Sequence, residues 1–277
     1  MINSGSIINK HWVKRAFNKA AATYDDAAVL QREVCTRMLE HLDPVTLQPQ
    51  RILDVGAGTG FGVSLLMKRY KKAKICAVDL APEMLKRVAK QGSWLRKPEL
   101  ICADADHLPV GDASVDMIVS SLMLQWSGDL ERTFREFRRV LKPGGVLMFS
   151  TFGPDTLKEL RQSWSQVDAD AHVNQFVDMH DVGDALMRSQ FADPVMDREM
   201  LTLTYQKVTG LMRDLKSIGA NTPMSGLAGG RRRGLMTVNV LKSVEHAYEV
   251  HRIDGVLPAS YEIVYGQAWV PENLQKS

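Results

Sequence analysis

The densest chemistry in the chain stands at Asp54-Val55-Gly56-Ala57-Gly58-Thr59-Gly60. Ile52, Leu53 and Val55 surround the acid, so a short buried strand runs into three glycines and then into a helix opening near Thr59. Glycine lets the backbone turn sharply and come close to a ligand that a side chain would push away. The N–H groups that open the helix favour an anionic group over the turn. A dinucleotide site asks for G-x-G-x-x-G, with a pyrophosphate on that turn. Here the spacing is G-x-G-x-G, followed by Phe61, and Asp54 just before the turn would repel a pyrophosphate. An acid at that place suits a cationic group such as an amine. Asp79 closes the next expected strand, 19 residues after Gly60, where a carboxylate can accept both hydroxyls of a ribose. No arginine follows within a few positions to take a 2′-phosphate, so the sugar is expected to be unphosphorylated. Asp104, just past a third strand, is placed to accept from an adenine amino group, and Ser120 and Ser121 end a fourth, where a transferred group and its acceptor should meet.

These residues need a scaffold, and the pattern supplies one. Strands are expected at 51–55, 74–79, about 99–103, 115–121 and 146–152. Helices at about 59–70, 82–91 and 129–141 alternate with them; Pro82 opens the second, and Leu130, Phe134, Phe137 and Leu141 share one face of the third. Lys142-Pro143-Gly144-Gly145 reads as a turn. Strand–helix alternation means a parallel, doubly wound sheet, which binds ligands beyond the carboxyl ends of its strands.

Ahead of this core, residues 1–10 are polar and read as frayed. Two helices follow, from His11 to Tyr24 (Val13, Phe17, Ala20, Ala21 and Tyr24 inward) and from about Ala27 to His41, ended by Asp43-Pro44. Standing before the first strand, they can fold over the pocket as a lid. After Phe152 come helical stretches at about 154–167 and 180–190, a strand at 195–205, a helix at 206–219, a Gly-rich segment at 219–234, a helix at roughly 236–252 and a last strand at 259–269. The expected fold is therefore α/β: a doubly wound, mostly parallel, seven-stranded Rossmann-like sheet. Its parts are an N-terminal helical lid (1–45), a binding core (46–205), a helical cap insertion (206–257) and a last core strand with tail (258–277).

The totals fit an ordinary globular protein: 277 residues, 45% hydrophobic, 24% charged. A net charge of +3 is too small to argue for nucleic acid. No apolar run approaches the ~20 residues that span a bilayer, and the N-terminus lacks a basic-then-apolar signal, so the expected address is cytoplasmic, as a monomer or weak dimer. Cys35, Cys76 and Cys102 form no C-x-x-C pair; Cys76 and Cys102 fall in expected core strands and read as buried thiols of a reducing compartment. The seven histidines are dispersed and suggest no metal set.

Taken in order, D-x-G-x-G-x-G, Asp79, A-D-A-D-H-L-P (103–109) and L-K-P-G-G (141–145) resemble class I S-adenosylmethionine-dependent methyltransferases over residues 51–150. Ala21-Ala22-Thr23-Tyr24-Asp25, L-Q-W-S-G-D-L (124–130), T-F-G-P-D-T-L-K-E-L (151–160), L-M-R-D-L-K-S-I-G-A (211–220) and L-P-A-S-Y-E (257–262) narrow this. Together they are similar to the malonyl-acyl-carrier-protein O-methyltransferases of biotin synthesis, over nearly the whole chain. The resemblance implies methyl transfer from S-adenosyl-L-methionine to the free carboxylate of a malonyl thioester on acyl carrier protein. It implies a cofactor set of Gln31, Asp54, Gly56, Gly58, Gly60, Asp79, Leu80, Met84, Asp104, Ala105 and Ser120, and it puts Tyr24 and Asp25 at the reacting groups, with Gln125 and Trp126 on the acceptor side. No catalytic triad is expected, because a carboxylate is already ionised at neutral pH.

One stretch departs from the family pattern. Where relatives read H-x-N-R-F, this chain has His172-Val173-Asn174-Gln175-Phe176. An arginine there would pair with the malonyl carboxylate; Gln175 keeps a donor but loses the charge. Either Arg161, Arg198 or Arg213 substitutes, or the acceptor differs. Arg231, Arg232 and Arg233 are candidates for steering an acidic carrier protein. The same architecture also resembles a complex I assembly factor that hydroxylates an arginine, and a quinone-pathway methyltransferase. A binding module without turnover is the third rival.

Overall fold

The computed structural model describes residues 8–94, 96–168, 172–220 and 238–272. Seven strands form one sheet: β1 Arg51–Val55, β2 Lys74–Asp79, β3 Glu99–Cys102, β4 Val115–Ser121, β5 Leu141–Phe152, β6 Ala192–Tyr205 and β7 Leu257–Trp269, in the order β3-β2-β1-β4-β5-β7-β6. The first five pair parallel; β7 runs antiparallel to both β5 and β6. The helices are α1 Lys10–Ala20, α2 Tyr24–Ala27, α3 Val29–Glu40, α4 Phe61–Arg69, α5 Pro82–Val88, α6 Leu130–Val140, α7 Lys158–Ser165, α8 Met179–Arg188, α9 Val208–Ser217 and α10 Val238–Tyr248.

Alternation along the strands sorts the core to two faces. Ile52, Ala77, Met117 and Met148 pack with Val34 and Met38 of α3 and Leu66 of α4. Their neighbours Leu53, Val78, Ile118 and Phe149 pack on the other face, against Phe134 and Phe137 of α6 and Leu186 of α8. Central strands covered on both sides are largely apolar on both faces, which is why Ile52, Leu53 and Val55 of β1 and Met117, Ile118 and Val119 of β4 show no polar alternation. Strand order reverses between β1 and β4, so their carboxyl ends frame a crevice.

Several expectations shift. The start of the chain is not frayed up to residue 10: Asn9 caps α1, its side chain accepting from the His11 and Trp12 N–H groups at 3.1 and 3.3 Å, and Ile8 is buried. The first helix stops at Ala20, and Tyr24 begins a separate turn. Cys102 is exposed, because β3 is the sheet's edge and lacks a covering partner on its outer side. The expected turn at 142–145 is drawn into β5, with Leu141 already paired to Val115 and an irregular register following; Gly144, at φ +74°, absorbs the distortion.

Between β6 and β7 the chain detours through α9 and α10. The end of α9 meets the lid. A Cβ on Gly219 (φ +77°) would lie 3.3 Å from Ala20 and 3.4 Å from Ala16, and the Thr23 hydroxyl donates to the Ser217 carbonyl at 3.2 Å. Glycine and alanine thus allow helices from opposite ends of the sequence to touch.

Candidate active site

A cavity of about 1010 Å³ opens where β1, β2, β4 and β5 end, roofed by α1, α2 and the α9–α10 insertion. Its floor is the glycine turn. Gly56, Gly58 and Gly60 have φ of +79°, +54° and +96°. The N–H groups of Gly56 and Ala57 both donate to the Val78 carbonyl, at 2.8 and 3.0 Å, locking the turn to β2. A Cβ at Gly56 would stand 2.4 Å from the Met123 side chain, whereas at Gly58 nothing lies within 4 Å, and that open side faces the cavity.

Two carboxylates sit under this floor. Asp79 accepts from the Gly58 N–H at 2.9 Å and the Ala81 N–H at 2.8 Å, so it braces the turn while lining the cavity. Burial pushes its carboxyl up to about 6 despite those donors. Asp54 is buried beneath the first turn of α4, off the cavity wall; burial, then the charge of Asp79, pushes it up to about 7. Neither forms an ion pair among the described residues. Two acids held this way favour a cation nearby. Gly60 also stands behind the wall, packed against Val88 at the end of α5. Leu80, Met84 and Ala105 line the cavity, and so does Gln31, whose buried Oε1 has no hydrogen-bond partner. An acceptor oxygen left open, a glycine face left open and buried acids in want of a cation together fit the ribose and amino-acid moiety of S-adenosylmethionine.

The lid supplies the next layer. Tyr24 lines the cavity and packs with Phe17 on Ala21, Ala81 and Met84. Burial, followed by the charges of Asp79 and Asp25, raises its phenol well above the ordinary range, so the hydroxyl keeps its proton. Asp25 does not line the cavity. Its Oδ1 accepts from the Thr59 hydroxyl at 2.6 Å, which fastens the lid to the glycine turn. Asp104 does line it, but its carboxylate is engaged by Lys10 Nζ at 2.5 Å; Lys10 also pairs with Asp106. Ser120 turns away, its buried hydroxyl donating to the Val55 carbonyl at 2.9 Å, because alternation along β4 points it into the sheet's packing. Ser121 lines the cavity in its place, followed by Leu122 with a left-handed φ of +49°. Non-glycine residues in that region cost energy and gather at binding sites; Leu157, at φ +55°, also lines the cavity.

Gln125 and Trp126 also line the cavity, the latter edge-on to Phe17 at 5.3 Å. Of the four side chains weighed for the acceptor carboxylate, three are elsewhere. Gln175 is exposed and off the wall. Arg161 donates to the carbonyls of Pro154 and Thr156 at 3.0 Å and of Asn174 at 3.4 Å. Arg198, on edge strand β6, faces Glu262 at 3.3 Å. Arg213 alone among them lines the cavity.

Sequence reasoning missed Lys10, Lys216 and His172. The signals were present: Lys10 stands three and seven residues before Val13 and Phe17, and Lys216 one turn after Arg213. His172 gave none; its ring stacks on Trp164 at 3.6 Å, and Nε2 lies 2.7 Å from Asp168. Arg231, Arg232 and Arg233 lie outside the described residues.

Comparison with known proteins agrees with this layout. Residues 53–149 match the methyltransferase domain family. The chain is 51% identical to the malonyl-acyl-carrier-protein O-methyltransferase of Laribacter hongkongensis, over 95% of this chain and 90% of that protein. It is 49% identical to the protein of the same name from Halorhodospira halophila, over 95% and 88%. Among solved structures, the YcgJ protein of Bacillus subtilis shares the fold, with a TM-score of 0.60 at 18% identity, over 87% of this chain and 99% of that one. The chain belongs to the malonyl-acyl-carrier-protein O-methyltransferase family.

Proposed function

We propose that this chain moves a methyl group from S-adenosylmethionine to the free carboxylate of a malonyl thioester carried on acyl carrier protein, an early step of biotin synthesis. The observation that carries the reading is the charge pattern of one cavity: buried acids beneath its glycine turn, and Arg213 and Lys216 on the α9 wall. Asp54, Asp79, the open face of Gly58 and Gln31 would hold the cationic donor. Bound there, S-adenosylmethionine supplies an electrophilic methyl group on a good leaving group.

The chain's own residues then have little covalent work. Carboxylates ionise near pH 4, so the acceptor needs no general base at neutral pH. Alignment in a closed pocket is the larger contribution, and positioning can supply up to roughly 7–11 kcal/mol. Phe17 and Trp126, edge-on to each other on the cavity wall, would present apolar surface that excludes water, and Tyr24 would offer a protonated hydroxyl. Asp25 acts at one remove, by holding the lid on Thr59. The rival arginine acceptor would meet like charges at Arg213 and Lys216, and a quinone offers them no anion. Arg231, Arg232 and Arg233 would steer the acidic carrier protein, which makes turnover on the carrier fall with added salt.

The test is direct. Full-length protein with methyl-labelled S-adenosylmethionine and malonyl-acyl carrier protein should place base-labile label on the carrier, as expected of a methyl ester. Label that survives base, or none at all, removes the reading.

A further inference from the structure

The departure at Gln175 leaves the acceptor's charge without its expected partner, and the cavity offers another. On α9, Thr209, Met212, Arg213 and Lys216 all line the cavity. Their spacing is i, i+3, i+4, i+7, which is one stripe of a helix. The acid on the same helix, Asp214, faces Tyr205, whose phenol is raised by burial and then by that acid's charge. Neither Arg213 nor Lys216 has an ion-pair partner among the described residues. Of the other charged groups on the wall, Asp168 pairs with His172 and Lys10 with Asp104 and Asp106, while Asp79 accepts from the Gly58 and Ala81 N–H groups beside the glycine turn.

The stripe is also held in place. Gly210 packs on Tyr205, where a Cβ would come within 3.2 Å, and Gly219 seats the end of the helix on α1. A guanidinium set in this way can meet a carboxylate with two parallel N–H donors.

Resting on the acceptor reading above, we propose that Arg213, with Lys216 one turn beyond, recognises the acceptor's free carboxylate and discriminates the acid from its methyl ester. Methylation removes the charge that Arg213 holds. The same residue therefore retains substrate and lets product go.

Binding is measured separately from transfer, using malonyl-acyl carrier protein and its methyl ester as the two probes. The wild-type chain should bind the acid at least about tenfold more tightly than the ester. Arg213→Gln should weaken the acid about tenfold or more and the ester less than about twofold, with cofactor affinity unchanged. Arg213→Lys should recover part of the loss, since it keeps the charge and loses the fork. If Arg213→Gln does not fold, Arg213→Met preserves the stem's packing and must show the same selective loss. Acid binding at wild-type strength in these variants overturns the proposal, and so does an equal loss of acid and ester, which would mark a packing role. If wild type binds the acid selectively through Arg213 yet transfers no methyl, the reaction fails and the carboxylate contact stands.

Discussion

The two ends of the cavity are built by different means. The proposed donor end is made of backbone: three glycines, the N–H groups of Gly56 and Ala57 locked on Val78, and a carboxylate bracing Gly58. Its residues are close together in sequence and rooted in the central strands. The proposed acceptor end is made of side chains from α7, the segment before α8, and α9, which lies in a detour between β6 and β7. A backbone cradle over buried acids can be altered only by disturbing the sheet. A side-chain stripe on an inserted helix can be altered one residue at a time. The fold therefore fixes what is donated and leaves the acceptor open to revision.

The sharpest way to break this contrast is at two glycines of one turn. Gly56→Ala would drive a Cβ within 2.4 Å of Met123 at a φ of +79°, and should cost roughly 2–5 kcal/mol of stability, read as a lowered urea midpoint. Gly58→Ala meets nothing within 4 Å and should cost only about 1–2 kcal/mol, yet it should abolish cofactor binding because the new methyl enters the cavity. A Gly58→Ala protein that binds cofactor normally would mean the turn is not the cradle.

Next in size is Asp54. Its carboxyl is raised from 3.8 to about 7 by burial and by Asp79. A raised folded-state pKa on an acid makes ionisation costly to the folded state, so the penalty is full above about 7 and fades as pH falls toward 3.8. Ligand-free Asp54→Asn should therefore be more stable than wild type at pH 8, on the order of 2–4 kcal/mol, with the advantage gone near pH 4. The same variant should lose cofactor affinity, and the rise of wild-type affinity through neutral pH should flatten. Thermal melts and calorimetry across pH read both; an Asp54→Asn protein that is less stable at pH 8 contradicts the assignment.

Tyr24→Phe, at the junction of the two ends, should lower kcat about tenfold with cofactor affinity intact, the worth of one hydrogen bond in the closed site. Equal rates would leave the hydroxyl without a role. Smallest is Lys10→Met. Its ion pairs with Asp104 and Asp106 are partly exposed, so about 0.5–1 kcal/mol is at stake, seen as a cofactor KM raised up to about fivefold, with the difference shrinking in high salt.

How far each end was legible follows from the same contrast. The strand and turn at 51–60 and the acid at Asp79 were readable because glycine spacing and strand ends are local properties. The helical insertion was readable from periodicity. Ser120 was misplaced by one residue, and in a strand one residue is the opposite face. Asp25 sits in the expected motif, yet its contact with Thr59 spans 34 positions and no spacing reports it. Arg161 and Arg198 have the right charge, but their partners, the carbonyls of Pro154 and Thr156 and the carboxylate of Glu262, are fixed only by the folded chain. Lys10 was passed over because the capped start of α1 rests on Asn9, one polar residue in a polar stretch.

The lid's fastenings set a clock. Asp25 on Thr59, Asn18 on the Glu83 N–H at 3.0 Å, Thr23 on Ser217 and Lys10 on Asp104 are all polar and reach solvent, each worth on the order of 1 kcal/mol. They close the donor end without sealing it for long, and openings of such lids fall in the microsecond-to-millisecond range. Because α1 also seats the end of α9, a shift of α1 would disturb the proposed donor and acceptor walls together. On the proposed function, weakening any of these few hydrogen bonds at the start of the chain should change the rate of product release before it changes the chemistry.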